Sequence, residues 1–495
     1  MKSNRQSFLW LTIGTTLMLF SNGRWIIPFA AWLYPIFFLR FMSMQKPARG
    51  FIFLLVASAI VNMIVWWKMI PAPINVYFII TGLGLQTCAL SFLADRIVAT
   101  RLNGFISTLV FPITWCTIEY LMSLIPSKGT WVALAYTQAG NLSLMQLASV
   151  TGIWGISFLI TWFASAVNWA WHQNFEWDKI HRGAITFTSV AAAIFLFGTV
   201  RINFFQPQSP SVLTASIVQA RNINKDITSC KWTDAKAIGK YSTELENNLL
   251  EKTQQAAHAG AKIILWQECA GFIPKQREAE FIKRAMSLAV QEKIYLLMTL
   301  WSVPEDFPKH LVENKLVIIN PNGTKQLTYI KSNPVSVEPI LKGDGNIPVV
   351  QTPYGKIAPA ICFDDAFQNF IRQAGKNKVE IMFIPANDWK EVDPIHTYMA
   401  TTRAVENGFS LVRPAGPGLS VATDNCGRII SSMDYYKTDE QVMYADVPVQ
   451  HTYTIYTQVG DVFAWLCIAS FVIMSGWIIF QKYFVHVDAR IKKRM

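Results

Sequence analysis

Apolar residues fill the chain in long blocks at its two ends, while the middle shows short apolar runs broken by polar ones. Candidate membrane spans cover roughly 8–20, 25–42, 51–67, 75–94, 105–125, 152–171, 184–203 and 462–481, most of them near the ~20 apolar residues that cross a bilayer. The first is short and runs into Ser21-Asn-Gly-Arg24, so the first two form either separate spans or one re-entrant hairpin. No small-residue cleavage site separates them, which argues against a removable signal peptide. Residues 212–460 instead alternate β-rich and helix-patterned segments. Strands are expected at Val212–Val218, Ile263–Trp266, Ile294–Leu300, Leu316–Ile319, Leu327–Ile330, Ile357–Ile361, Glu380–Ile384 and Ser410–Val412. Helices are expected at Thr243–Ala259 and Phe281–Glu292, with Asn320-Pro-Asn-Gly323 turning a hairpin. Such mixing predicts sheets covered by helices. Three parts follow: a helical membrane domain over 1–205, a globular domain over 211–460, and a last span with a basic tail over 461–495.

Composition sharpens this division. Of 495 residues, 52% are hydrophobic and 15% charged, and the mean hydropathy is positive, which excludes an ordinary soluble protein. The net charge of +12 comes largely from residues flanking apolar spans, so it points to membrane orientation and not to nucleic acid. Lys2 and Arg5, then Arg40, Lys46 and Arg49, then Arg96 and Arg101, then Lys179 and Arg182, and finally Arg490, Lys492, Lys493 and Arg494 occupy alternate loops. The other loops hold little beyond Arg24, Lys68 and Lys128. With eight spans the rich loops share the cytoplasmic side, and the globular domain lies outside the cytoplasm. Glu119, an ionisable residue within a span, is a functional candidate by default, while its place near the span's outer end also lets it snorkel to water.

The seven cysteines contain no CxxC pair or Cys/His metal pattern. Cys362 stands apart, because the apolar strand Lys356–Ile361 runs into the acidic turn Phe363-Asp364-Asp365, with a helix expected from Ala366. Turn N–H groups and a helix dipole there would favour thiolate. Glu268 ends another strand, and Lys331 follows Leu327–Ile330. Acyl transfer through a covalent intermediate needs a nucleophile, a base and an oxyanion donor, and Cys362, Glu268 and Lys331 supply these types. Cys269, next to Glu268, would point the opposite way along a strand and is expected to be structural. His396 is set aside as a partner for Cys362, since Glu and Lys make a His unnecessary. No metal or organic cofactor is required.

The order Glu268, Lys331, Cys362 resembles the carbon–nitrogen hydrolase (nitrilase) superfamily, whose fold is an α-β-β-α sandwich. Nearly the whole chain is similar to the apolipoprotein N-acyltransferase family, through Gly129-Thr-Trp-Val-Ala-Leu-Ala-Tyr-Thr-Gln138, Gln146-Leu-Ala, Gly152-Ile-Trp-Gly-Ile-Ser-Phe158, Val218-Gln219 and Lys231-Trp232. The resemblance implies Glu268 as general base, Lys331 as oxyanion-stabilising cation and Cys362 as nucleophile, supported by Trp232, Glu338, Phe363 and Asp364. Read without it, Trp232 fits a membrane-interface anchor and Glu338 a rim carboxylate.

The resemblance further implies a multi-pass bacterial inner-membrane enzyme, expected to be monomeric, with its catalytic domain on the periplasmic side. Its acyl donor would be a membrane phospholipid and its acceptor a diacylglyceryl apolipoprotein. The alternatives are a membrane-anchored amidase or nitrilase acting on a small exported amide, and a catalytically weak lipid-binding relative. Four places depart from the family pattern: Phe363-Asp364 where Tyr-Glu is usual, Glu338 one residue early, a reduced Ala386-Asn-Asp-Trp389, and Arg413-Pro-Ala-Gly-Pro-Gly418 in place of an Asn/Thr-rich turn.

Overall fold

The computed structural model describes residues 2–86, 88–204, 209–219 and 233–492. The chain divides into two compact units: Met1–Ile125 with Val132–Val200 and Val459–Met495, and Pro126–Trp131 with Arg201–Gln458.

The first unit is helical, as a chain with no water to satisfy its backbone must be in hydrocarbon. Pro47–Val65, Phe105–Ser123, Ile153–His172 and Trp177–Phe204 are each long and apolar enough to cross a membrane. Ile52, Val56 and Ile60 lie four residues apart and are exposed, which places an apolar stripe on the outside of the helix Pro47–Val65. The expected span over 75–94 is not one helix. It breaks into Ile74–Gly82 and Ala89–Val98 around Gly82-Leu83-Gly84, where two glycines weaken the helix. The last helix, Val462–Lys492, is tied into this unit by Trp465 Nε1, which donates to Tyr120 Oη at 2.7 Å. Nearby, Trp154 Nε1 donates to Asp461 Oδ1 at 2.9 Å. Glu119 does not reach water. It is buried, and its Oε1 accepts the Leu134 N–H at 2.8 Å, because the turn Leu134–Gln138 brings a backbone donor inside.

The second unit carries, in chain order, β1 (Ser211–Ile217), β2 (Ile263–Trp266), β3 (Gly271–Pro274), β4 (Tyr295–Val303), β5 (Glu313–Ile319), β6 (Lys325–Ile330), β7 (Val350–Thr352) and β8 (Gly355–Pro359). Then come β9 (Ile381–Phe383), β10 (Ala386–Asn387), β11 (Ser410–Arg413), β12 (Ala415–Gly416), β13 (Leu419–Thr423), β14 (Ile429–Asp434) and β15 (Val442–Pro448). One large sheet runs β15-β1-β2-β4-β5-β6 with β3 beside β4, a second runs β14-β13-β11-β9-β8-β7, and β10 pairs with β12 in a small two-stranded sheet. Every residue of β4 is buried, so both of its faces are covered. Helices Ala235–His258 and Glu278–Glu292 cover one face, burying Leu245, Leu249, Phe281 and Ala285 against Trp266, Leu296 and Met298. On the second sheet, Ile395–Asn407 packs against β11 and β13, with Gln368–Lys376 beside it. β15 touches β11, β13 and β14, so the two sheets face each other and the layers run α-β-β-α.

Sheet polarity positions the chemistry. β1, β2 and β4 are parallel, as are β8, β9 and β11, so their carboxyl ends gather in two groups. Glu268 lies two residues past β2, Lys331 one past β6 and Cys362 three past β8. Gly408 makes the return from helix Ile395–Asn407 possible. It caps the helix in left-handed geometry at φ +76°, and an added Cβ would meet the Thr452 carbonyl oxygen at 1.8 Å. We expect Gly408→Ala to destabilise the domain by more than the roughly 1–3 kcal/mol that a left-handed non-glycine residue costs by itself, because the added Cβ also meets the Thr452 carbonyl. Gly345→Ala, equally left-handed at φ +81° but with nothing within 4 Å, serves as the control. Thermal unfolding of the detergent-solubilised chain measures both, and a Gly408→Ala melt no lower than the control's refutes the packing argument.

Candidate active site

Cys362 enters its turn under tension. Past β8, the Ala360 N–H donates to the Phe383 carbonyl at 3.0 Å and the Cys362 N–H to that of Pro385 at 2.9 Å, so pairing with the neighbouring strand continues up to the thiol. Cys362 then takes φ +50°, a left-handed backbone that L-residues avoid. A 3₁₀ turn follows over Cys362–Ala366, and the α-helix starts only at Gln368, not at Ala366 as expected. Asp364 holds the turn. Its Oδ2 accepts from Ile361 N at 2.9 Å and Tyr329 Oη at 2.6 Å, and its Oδ1 from Asn333 N at 2.7 Å and Asn333 Nδ2 at 3.0 Å. One carboxylate thus ties the cysteine turn to β6 and to the loop after Lys331. Burial pushes its pKa up to about 6 against the pull of those donors.

Glu268, Lys331 and Glu338 form one cluster. Lys331 is fully buried, and its Nζ lies 2.9 Å from Glu268 Oε1 and 2.9 Å from each Glu338 oxygen. Glu268 Oε1 also accepts from Asn314 Nδ2 at 2.8 Å, and its Oε2 from the Asn387 N–H at 2.8 Å. Glu338 keeps partial exposure, 16% for its side chain, while turning both oxygens inward to Lys331. It is a second anion on the ammonium, and the Val335 N–H at 2.8 Å steadies it. Burial works against the charge on Lys331, but Glu268, Glu338 and Cys362 together hold its pKa well above the ordinary lysine value. Burial first, and then Glu268, raise that of Glu338.

The thiol corrects an expectation. A turn and a helix dipole were to favour thiolate, but the dipole is displaced to Gln368 and the sulfur is buried. Burial, and then Glu268, raise the Cys362 pKa well above the usual thiol value; Lys331 opposes this, while Asp388 and Glu338 add to it. At rest the sulfur keeps its proton, and a base would have to take it before the sulfur could act as a nucleophile. Phe363 is buried beside it, its ring centroid 6.0 Å from that of Trp131 and 5.4 Å from that of Phe367. Cys269 sits in the core of the first sheet with Trp266 and Phe272. Trp232 lies outside the described residues.

A second charged group was not foreseen. His396 is buried, with Nδ1 2.6 Å from Asp388 Oδ1 and Nε2 3.0 Å from Asp365 Oδ1. Arg413 Nη1 donates to Asp388 Oδ2 at 3.0 Å and to Thr397 Oγ1 at 2.8 Å. The Cys362 sulfur, an Asp388 oxygen and a His396 nitrogen lie within 4.8 Å of one another. Asp388 and Arg413 stand in two of the departures noted above, Ala386–Trp389 and Arg413–Gly418, but nothing in their spacing signals that they meet.

Residues 214–456 match the carbon-nitrogen hydrolase family, and residues 8–166 match the apolipoprotein N-acyltransferase N-terminal domain. Apolipoprotein N-acyltransferase of Rickettsia typhi is 23% identical over 440 residues, covering 84% of this chain and 83% of its own. That of Shewanella oneidensis is 26% identical over 420 residues, covering 78% and 75%. The chain belongs to the apolipoprotein N-acyltransferase family. An amidase from Nesterenkonia sp. superimposes at 17% identity with a TM-score of 0.40, over 51% of this chain and 94% of that one.

In this apolipoprotein N-acyltransferase family member the Phe363-Asp364 departure keeps an acid where the turn needs four acceptor contacts, and an aromatic where Trp131 and Phe367 pack. The shifted Glu338 still reaches Lys331 with both oxygens.

His396 makes the stability of the domain depend on pH. Burial disfavours its charge, but Asp365 and Asp388 overturn that and raise its pKa from 6.5 to about 9. Folding therefore favours the protonated ring: the stabilisation is complete below about 6.5 and is lost as pH rises through about 9. We expect the gap in melting temperature between wild type and His396→Asn to be widest near pH 6 and to narrow above pH 9. A gap constant from pH 6 to 10 would contradict this.

Proposed function

We propose that the chain transfers an acyl chain from a membrane phospholipid to the α-amine of the N-terminal diacylglyceryl-cysteine of apolipoproteins. The carrying observation is the ion pair between Glu268 and Lys331 with Cys362 at the ends of separate strands, in a chain that also holds apolar membrane-length helices. Glu268 takes the Cys362 proton as the sulfur attacks the ester carbonyl. Lys331 and the Phe363 N–H stabilise the oxyanion of the tetrahedral species. Its collapse expels a lysophospholipid alcohol, which takes the proton from Glu268, and leaves an acyl thioester on Cys362.

The incoming amine then attacks the thioester. Glu268 accepts the amine proton and returns it to the departing sulfur, which restores the thiol. A thiol that rests protonated suits this cycle, because attack is coupled to the base. Trp232 and Glu338 support the substrate side and the lysine. The placement of Lys and Arg in the loops supports a multi-pass bacterial inner-membrane protein, with 1–205 and 461–495 in the membrane and the catalytic domain, 211–460, on the periplasmic side.

Purified chain incubated with phospholipid labelled in its acyl chain should acquire a hydroxylamine-labile label that Cys362→Ala removes. Glu268→Gln should form that adduct at least ~10²-fold more slowly, the usual scale for losing a general base. Wild type without an adduct, or Cys362→Ala with an undiminished one, would sink the thioester route.

A further inference from the structure

We propose that His396 is a positioning residue for this reaction, an imidazolium that neutralises the carboxylate beside the Cys362 sulfur so that the sulfur can carry negative charge. The inference rests on the thioester route above and names a residue that acts through Asp388. Its basis is the pairing of both ring nitrogens. Nδ1 lies 2.6 Å from Asp388 Oδ1 and Nε2 lies 3.0 Å from Asp365 Oδ1. A neutral imidazole has one N–H and one lone pair, so one of these contacts would set a lone pair against a carboxylate oxygen. Only the imidazolium donates at both.

Charge balance agrees. The groups facing His396 are Asp365 from the cysteine turn, Asp388 from the loop after β10, Arg413 from the end of β11, the Cys362 sulfur, and the Trp131 ring, whose centroid lies 5.2 Å away. Two carboxylates, one guanidinium and one imidazolium sum to zero in a space closed to water. Burial alone would raise the pKa of Asp388, but Arg413 and His396 hold it well below the carboxylate range, so it stays an anion. Arg413 is shared, with its Nε 3.9 Å from Asp365 Oδ2, so it cannot neutralise both aspartates alone.

Two other roles for the same residues fail on this geometry. With both ring nitrogens engaged, His396 has no lone pair for a metal ion held with Cys362 and Asp388. It has none to accept the thiol proton either, which leaves that task to Glu268. What remains is electrostatic. When the proton leaves Cys362, and again when the thioester expels the sulfur, negative charge grows within 4.8 Å of Asp388. At an effective dielectric near 20, an uncompensated unit charge at that range opposes it by roughly 10²-fold.

The test is single-turnover acylation of the full-length protein in phospholipid vesicles, with labelled phospholipid as donor. His396→Asn should acylate on the order of 10²-fold more slowly. The double variant His396→Asn with Asp388→Asn removes both charges and should recover to within about tenfold of wild type. Relative to that double variant, wild type should lose rate as pH rises through about 9, where the ring gives up its proton. A His396→Asn protein with wild-type rate overturns the inference while its adduct leaves the thioester route standing. A double variant that melts normally yet stays as slow as the single one overturns it too, since a scaffold role predicts no rescue. If His396→Asn fails to fold, the pH comparison between wild type and the double variant decides, and no alkaline loss in wild type rejects the proposal. No adduct in wild type at any pH brings down the route beneath it.

Discussion

A lysine ammonium with no exposure to water must be paired, and the pairing of Lys331 organises the site. Desolvating it without partners would drive it neutral, and removing one partner from such a buried pair typically costs about 3–5 kcal/mol. Lys331 meets this with two carboxylates, Glu268 and Glu338, brought from different parts of the chain. Each is fixed in turn by neutral donors: Asn314 and the Asn387 N–H on Glu268, and the Val335 N–H on Glu338. The Lys331 backbone is held as well, with its N–H on the Asn314 carbonyl at 2.9 Å and its carbonyl accepting from Gly343 at 2.9 Å. Asp364 then links Tyr329 and Asn333, on either side of Lys331, to the cysteine turn. The cysteine turn and the paired lysine are thus joined through one carboxylate.

Much of this was legible because the signals are local. The strands β2, β4, β5 and β6 show themselves as short β-rich runs, and Asn320–Gly323 turns the β5–β6 hairpin as its residues demand, with Gly323 at φ +80°. Glu268, Lys331 and Cys362 could be picked out because each follows such a run directly. The strands β13, β14 and β15 were not anticipated. β15 has the alternating burial of an edge partner, but its polar residues Tyr444 and Asp446 sit on the exposed face and dilute the apolar pattern. The break between Ile74–Gly82 and Ala89–Val98 was hidden for the opposite reason: apolar content continues across the glycines even though the helix does not.

The second charge group was illegible for a different reason. His396, Asp365, Asp388 and Arg413 come from a helix, a turn, a loop and a strand end, and no periodicity relates them. Sequence order favours partners that end strands, and His396, on the first turn of Ile395–Asn407, is set aside because Glu268 and Lys331 make a histidine unnecessary. Burial changes its meaning. Glu119 teaches the same lesson in the helical unit, where the turn Leu134–Gln138 supplies an inside donor that composition could not reveal.

In the proposed reaction the two charge groups would divide the work around the Cys362 thiol. A free thiolate invites oxidation, and a buried thiol among carboxylates resists losing its proton. That resting state is safe but unreactive, so reactivity has to come from groups that tolerate transient charge at the sulfur. Lys331 offsets Glu268 and Glu338 on one side, while Arg413 and His396 offset Asp365 and Asp388 on the other. With the aspartates balanced, Glu268 and Glu338 remain around one ammonium, and in the proposed cycle Glu268, whose partners are donors only, is the one that takes the proton. In the proposed route proton transfer and sulfur attack would then be one coupled event, gated by arrival of the carbonyl that accepts the electrons.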